Sequence, residues 1–487
     1  MSKISFEPGR SRGFRVRFFL ALKRFLRKKN VIRLSFFVVF ILVCFFIFSF
    51  VKSNKQIIGV KTLSALNKIS GLLPITKDEQ KELSVLNTLV ENFTKKDGTT
   101  KTFMLLLQNN MELRPGGGFL GQYAIIKIKD GEVVSSYFED ANLLDQRIKA
   151  KIPTPYPFER MMQLKNWKFR DSNFSPDFPT NVAKAEYFYR LSGRGTGDFD
   201  GVIAVNATVL NDILKLTGPI SVPGYNVELN SDNGFLKLEE VVEKQYIMNP
   251  DIDTQNRKAI MKQLLPIIIN KLFTLGNISK LTDLAHQEFQ SKNVMVNFKD
   301  QSLQSLSSSV FWTGEMAQDW SGDYLMMVDA NMGALKTDYY IKREITYDID
   351  LTTEKPTVNL EILYKNTAPY GDWRTSDYHT YMRLYLPKGA TLLERVMMNN
   401  ISAGEDFGKS WIGFMGHVLI GGQTDVKIKY ELPAEFPRDN YKLLIQKQSG
   451  VSDIPVKVHV KTKDGEFNQE QIMNSDLNFE VKEETKQ

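Results

Sequence analysis

The chain has 487 residues, of which 42% are hydrophobic and 24% charged; it is too long for one compact core, and this composition excludes wholesale disorder. The formal net charge is +7, but the first 33 residues carry all of the basic excess, so the remainder is slightly acidic and lacks a nucleic-acid-binding footprint. The single cysteine, Cys44, excludes an intramolecular disulfide and a cysteine-based zinc site.

An apolar run, LSFFVVFILVCFFIFSFV, occupies residues 34–51. With the apolar residues just before it, the run approaches the length of about 20 residues that a transmembrane helix needs. Basic residues crowd before it, which predicts a cytoplasmic N-terminus. A cleaved signal peptide is the alternative, but no A-x-A-like site follows. We therefore predict a basic tail (1–30), which is either an amphipathic helix on the inner leaflet or disordered, and a retained single-pass anchor (31–52).

Hydrophobic patterning divides the first half of the exposed part into two segments. Residues 53–100 are predicted to form a helical stalk, since Thr76 begins a capping box and apolar residues follow at helical intervals. Residues 101–332 alternate buried strands with helices and contain a hairpin signal at Asp130 and Gly131. This pattern predicts an α/β domain with a mixed sheet and flanking helices.

The second half is predicted to be all β. Residues 333–474 contain alternating strands at short intervals with turn residues between them. That pattern is typical of an immunoglobulin-like sandwich, here without its disulfide. The polar residues 475–487 are predicted to form a flexible tail.

The most informative local feature is Arg114, followed by Pro115 and the glycine run Gly116, Gly117 and Gly118. Glycines let a ligand approach backbone N–H groups, and a neighbouring guanidinium could complete a phosphate-binding site. The alternative is a structural turn in which Arg114 pairs with a carboxylate. The sequence leaves both interpretations open.

A second polar group surrounds residues 170–177. Arg170, Asp171 and Asp177 combine a guanidinium with two carboxylates, and oxygen ligands of this kind suit Mg²⁺. Asx turns and helix capping explain the same residues equally well. Further along, Asp253 and Arg257 lie one helical turn apart, so Arg257 is either a phosphate ligand or half of a solvated ion pair.

Four segments carry a resemblance to a known family. They are MLLLQNNMELRPGGGFLG (104–121), FRDSNFSPDFP (169–179), GDFDGVIAVNATVLNDILKLTGPISVPG (197–224) and DANMGALKTDYYIKREI (329–345). Together they resemble the bacterial family called domain of unknown function 4012. The resemblance implies an envelope protein with one N-terminal anchor and no established activity.

The order of strands, loops and helices is also distantly similar to that of the LytR-CpsA-Psr family. Those enzymes transfer glycopolymers from polyprenyl-diphosphate carriers to the cell wall, using arginines and a magnesium ion. By motif order, Arg114 matches an arginine of their first loop, and Asp253 with Arg257 matches a later helix motif. The acid expected after the first loop is replaced here by the glycine run.

Two functional hypotheses follow. In the first, a membrane-anchored envelope protein binds a polyprenyl-diphosphate-linked glycan and, if its site is intact, transfers it. The catalytic candidates are then Arg114, Arg170 and Asp171, the phosphate ligands are Arg114, Gly116, Gly117, Gly118 and Arg257, and the Mg²⁺ ligands are Asp171 and Asp177. In the second, a non-catalytic scaffold meets its partner through the β-sandwich. Neither includes a nucleic acid, and the sequence does not predict the oligomeric state.

Overall fold

The computed structural model describes residues 77–244 and 278–481, together with the isolated positions 260, 263–264, 267–268 and 271. The predicted tail and anchor (1–52), the first part of the predicted stalk, and both Asp253 and Arg257 lie outside the described residues. Within the described ranges, no helix combines the length and the apolar composition that crossing a bilayer requires.

The first structural unit is a mixed α/β domain. Its helices are α1 (Lys77–Thr94), α2 (Ala141–Arg147), α3 (Phe158–Met162), α4 (Phe178–Leu191), α5 (Val209–Thr217), α6 (Gly234–Glu239), α7 (Ile278–Gln290) and α8 (Gln301–Ser308), with a 3-10 turn at Phe169–Asp171 and a π-helical turn at Glu240–Lys244. Its strands are β1 (Thr100–Arg114), β2 (Gly117–Lys129), β3 (Glu132–Asp140), β4 (Gly201–Asn206), β5 (Ile220–Ser221), β6 (Glu228–Leu229) and β7 (Val294–Phe298).

Five of these strands form the central sheet in the order β3-β2-β1-β4-β7. Strands β1 and β4 are parallel, whereas the other neighbours are antiparallel. The predicted hairpin joins β2 to β3, and both of its turn residues, Asp130 and Gly131, have positive φ. That backbone matches the twist of two antiparallel strands, so the hairpin prediction is confirmed.

Helices cover both faces of this sheet. The predicted stalk helix, α1, belongs to the domain itself, because its apolar stripe is buried against the sheet along with α5, α7 and α8. The ring of Phe93, at the end of that stripe, meets Phe103 of β1 edge-on at 5.1 Å between centroids. On the opposite face, α2 and α4 pack over Tyr123 and its apolar neighbours.

The second unit consists of two six-stranded sheets that share one core. Its strands are β8 (Asp323–Asn331), β9 (Ile341–Asp350), β10 (Thr357–Asn366), β11 (Tyr378–Pro387), β12 (Thr391–Val396), β13 (Asn399–Asp406), β14 (Lys409–Val418), β15 (Gln423–Glu431), β16 (Lys442–Ile445), β17 (Ile454–Lys461), β18 (Glu466–Met473) and β19 (Leu477–Glu480), with a 3-10 turn at Thr337–Tyr340. The sheet orders are β12-β15-β10-β9-β17-β18 and β13-β14-β11-β8-β16-β19.

This unit differs from the sequence prediction at both ends and in topology. It begins with β8, before the predicted boundary at 333, and its last strand, β19, lies inside the segment predicted to be a tail. Strand β8 lacks an alternating pattern because all nine of its residues are buried. The pairs β8 with β16 and β9 with β17 are parallel, whereas an immunoglobulin sandwich has two antiparallel sheets.

One buried glutamate in the α/β domain has a strongly raised pKa. Glu288 of α7 is completely buried, and Asn293 donates a hydrogen bond to its Oε2 at 2.8 Å. Burial raises the pKa of Glu288 to about 8, and the neighbouring carboxyl of Asp212 contributes in the same direction. Glu288 is therefore protonated in the folded protein at neutral pH.

We expect Glu288→Gln to flatten the pH dependence of stability. Because the folded pKa lies above the usual value of 4.5, this group's contribution is complete below that value and is lost as the pH rises towards 8. The free energy of unfolding should fall by up to about 1.4 kcal/mol per pH unit over this window in the wild type. Urea titrations of both proteins between pH 5 and 8 measure the difference, with Glu435→Gln at an exposed position as the control. Parallel slopes for wild type and Glu288→Gln would show that Glu288 ionises normally.

Candidate functional site

The guanidinium of Arg114 is buried at the end of β1, with 1% of the residue exposed. Its Nε donates to Asp171 Oδ1 at 3.0 Å, and one Nη donates to Glu112 Oε1 at 2.9 Å. The other Nη donates to the carbonyl oxygen of Asn331 on β8, in the sandwich. These are the bonds of a structural arginine, and they favour the alternative interpretation, in which Arg114 pairs with carboxylates. Its N–H groups are directed at the protein.

The glycine run is also closed. Gly116 donates its backbone N–H to Asn173 O at 3.0 Å, and a Cβ at this position would lie 2.3 Å from the side-chain nitrogen of Asn181. Gly117 has φ +128, and its backbone carbonyl faces Gly450 of the sandwich so closely that a Cβ on Gly450 would lie 2.3 Å from that oxygen. All three glycines, including Gly118, are buried. They permit a tight turn beneath the second domain instead of an open phosphate cradle.

The predicted metal ligands have other partners. Asp171 is the ion-pair partner of Arg114. Asp177 caps α4, since its Oδ2 accepts from the backbone N–H and the hydroxyl of Thr180, while its Oδ1 accepts from the N–H of Met316. Within the part of the chain that the structure describes, no group of three His, Cys, Asp or Glu residues could hold a metal ion. Asp171 and Asp177 therefore do not fit the predicted Mg²⁺ site, and helix capping, the alternative, describes Asp177.

Arg170, the second arginine predicted to act in the site, is partly exposed to solvent, with 33% of its side chain exposed. It donates to Asn142 Oδ1 at 2.9 Å and lies 3.7 Å from a carboxylate oxygen of Asp145. Burial raises the pKa of Asp145 to about 6, and Arg170 opposes that rise. Its position next to Asn142 places Arg170 close to a cavity that the sequence analysis did not predict.

This cavity of about 240 Å³ opens at the carboxyl ends of the parallel strands β1 and β4. Ligands bind at the corresponding edge in many α/β proteins. Its walls are apolar side chains from the sheet, α5, α6 and the segment after it, namely Leu107, Val205, Val209, Leu210, Ile213, Phe235, Leu238, Val242, Leu264 and Ile268. The helical spacing of Leu210 and Ile213 was visible in the sequence, but it indicated only a core-facing helix.

Polar groups surround the mouth of the cavity. Of the lining amides, Asn109, Gln122 and Asn142 are half-buried, whereas Gln108 and Asn206 are buried deeper and bonded to each other. Lys336, from the segment after β8, reaches the same rim, with its Nζ 4.0 Å from Glu239 Oε2. With Arg170 bonded to Asn142, two cationic side chains lie at or beside the mouth.

The arrangement suits an amphipathic ligand with an anionic head. The walls can bury an apolar chain, and the amides and cations can bind negatively charged oxygens. Among the described residues that line the cavity, Glu239 is the only acid and there is no histidine, serine or cysteine. These groups support binding, and they provide no paired nucleophile and base.

We expect Arg114→Met to lower the free energy of unfolding by about 3–5 kcal/mol, the usual cost of leaving a buried ion-pair partner alone. The substitution leaves Glu112 and Asp171 buried without the guanidinium. Urea unfolding measures this loss, with Arg395→Met at an exposed position as the matched control. If Arg114→Met has the same free energy of unfolding as the wild type, the guanidinium does not stabilise the fold.

Three bacterial proteins are among the solved structures that are similar to this chain. The Lin1025 protein from Listeria innocua has 15% identity and a TM-score of 0.23, covering 45% of this chain and 80% of its own. The transcriptional regulator yvhJ from Bacillus subtilis has 14% identity and a TM-score of 0.22, covering 45% and 81%. TagV from B. subtilis has 13% identity and a TM-score of 0.23, covering 45% and 82%. No curated protein matches the sequence.

The family comparison bears on the glycine loop and the strands around it. Residues 98–246 match the family described as protein of unknown function DUF4012. The matched range contains β1 to β6, the buried turn and most of the described cavity wall. The predicted resemblance to this family is confirmed over residues 98–246.

Proposed function

We propose that this protein binds a polyprenyl-diphosphate-linked glycan at the cell envelope, held there by its predicted N-terminal anchor. The observation that carries the proposal is the apolar cavity whose mouth bears amides and cationic side chains. The motif order similar to that of the LytR-CpsA-Psr family supports the same ligand class. No nucleic acid is proposed as a partner, because the chain after the basic tail is slightly acidic.

The apolar walls would hold part of the isoprenoid chain. Each buried CH₂ group contributes about 0.8 kcal/mol, so a few isoprene units supply most of the affinity. A carrier lipid lies in the leaflet next to the predicted anchor. A cavity in the domain that follows the anchor along the chain is therefore placed to receive one end of that lipid.

The diphosphate would lie at the mouth. Arg170 and Lys336 supply positive charge there, and the amides of Asn142 and Gln122 supply N–H donors. Among the residues that the structure describes, the ion-pair partner of Lys336 is Glu239, at 4.0 Å. Arg114 and Asp171, in contrast, position the loop beneath this mouth and do not contact the ligand.

The alternative, a non-catalytic scaffold that uses its sandwich, is favoured by one observation. Strand β12 and the turn that follows it expose three apolar side chains, with Leu393 45%, Val396 52% and Met397 54% exposed. Apolar side chains grouped in this way are typical of protein contacts. This role is compatible with glycan-lipid binding in the other domain.

Filling the cavity should abolish lipid binding. Ala207 lines the cavity, and Ala207→Phe would place a ring where the isoprenoid lies. We expect the full chain to bind geranylgeranyl diphosphate and the variant to lose at least tenfold in affinity, measured by isothermal titration calorimetry. Ala434→Phe, at an exposed turn of the sandwich, is the matched control. Absence of binding in the wild type, or equal affinity in Ala207→Phe, would refute the proposal.

Removing the positive charge of Lys336 should weaken binding of the diphosphate head group and leave binding of the isoprenoid chain unchanged. We expect Lys336→Ala to weaken binding of geranylgeranyl diphosphate by about tenfold, the value of one charge-assisted hydrogen bond. Affinity for geranylgeraniol, which lacks the diphosphate, should be unchanged. Lys342→Ala, at an exposed position on β9, serves as the control. An equal loss for both ligands in Lys336→Ala would mean that Lys336 supports the cavity and does not recognise phosphate.

A further inference from the structure

A second cavity, of about 380 Å³, lies between the two domains. The α/β domain contributes residues near the ends of α7 and α8, and the sandwich contributes β16 and β19. The connecting segment from Thr313 to Ala317 forms its floor. We call this cavity the interdomain crevice. It shares no lining residue with the cavity at the ends of β1 and β4.

Two aromatic side chains border the interdomain crevice. Phe311 is 69% exposed, although its ring is large and apolar. It follows the end of α8 with φ +63, a conformation that usually belongs to glycine or asparagine at helix ends. Trp320 is half-buried, and its indole N–H donates to Asp323 O at 2.8 Å, which holds the ring. The protein therefore keeps the ring of Phe311 exposed on a strained backbone, and a second ring, held by a hydrogen bond, lines the same crevice.

The remaining lining mixes polar side chains with apolar residues, namely Met316, Ala317 and Leu444. The amides are Gln290, Gln446 and Asn478, and the carboxylates are Glu315 and Asp476. Lys292 pairs with Asp476 at 2.7 Å, and Glu315 accepts hydrogen bonds from Gln304 and Ser308. Two acids and one lysine give the lining a slight negative charge. The amide of Asn478 is exposed and makes no side-chain hydrogen bond with any residue that the structure describes.

We infer that the interdomain crevice binds sugar rings of an uncharged glycan segment. Sugars present apolar C–H faces that pack on aromatic rings, together with hydroxyls that both donate and accept hydrogen bonds. Phe311 and Trp320 meet the first requirement, and the exposed amide of Asn478 meets the second. The two acids, which outnumber the single lysine of the lining, disfavour an anionic ligand.

This site goes beyond the proposed binding of a carrier lipid and does not rest on it. The ligand needs neither an isoprenoid chain nor a diphosphate. Soluble oligosaccharides without lipid therefore test the crevice alone, and geranylgeranyl diphosphate tests the other cavity alone. Either proposal can fail while the other stands.

The test uses the full chain in detergent micelles with soluble hexose and N-acetylhexosamine oligosaccharides. Saturation-transfer NMR should detect contact with at least one of these sugars, and calorimetry should give its affinity. Phe311→Ala should lower that affinity by about tenfold, because stacking on one ring contributes at most about 1.5 kcal/mol. Phe311→Tyr should restore most of it. Asn478→Ala, at an exposed edge position, should also weaken binding without disturbing the fold.

Tyr370→Ala is the matched control, since Tyr370 is 64% exposed on the sandwich and does not line the crevice. This variant should bind as the wild type does. The inference is overturned if none of the oligosaccharides binds, or if Phe311→Ala and Asn478→Ala both bind with wild-type affinity. Competition between a bound oligosaccharide and geranylgeranyl diphosphate would also overturn it, because the two cavities are separate.

Discussion

The structure depends on polar groups that are buried where the two domains meet. Arg114 ends the first strand of the α/β domain, and its guanidinium binds two carboxylates of that domain and a backbone carbonyl of the sandwich. Gln448 of the sandwich donates in return to the carbonyl oxygens of Arg114 and Asp329. Buried charges and amides of this kind are stable only when every partner is in place. The junction therefore specifies one relative orientation of the domains.

Both candidate ligand sites follow from that orientation. Lys336 belongs to the segment after β8, yet it lines the cavity of the α/β domain. The interdomain crevice exists only because Leu444 and Asn478 of the sandwich face the end of α8. A chain in which the domains were free to move would keep its two cores, but it would lose the interdomain crevice and the position of Lys336 at the other cavity. The glycine turn belongs to this arrangement, since its lack of side chains lets Gly450 approach.

The local pattern predicted the chemistry at Arg114 and Asp171 only in part. The sequence places guanidinium and carboxylate groups beside glycines, and the structure does bring Arg114 and Asp171 together. Whether such a pair faces a ligand or the protein interior depends on what covers it. Here the cover comes from residues more than 200 positions away, at Asn331 and Gln448. No spacing rule over a short segment could reveal that contact.

The sequence by itself determined the elements whose signals are local. The hairpin at Asp130 and Gly131 follows from turn chemistry, the α1 stripe from helical periodicity, and the strand-rich second half from alternation. Only the tertiary structure decided that β8 belongs to the sandwich, that the arginine loop is closed, and that an apolar cavity opens beside β4. The physical reason is that burial is a property of packed surfaces. Side chains distant in sequence exclude water from Arg114 and leave Phe311 exposed, and neither outcome is encoded by the residues next to them.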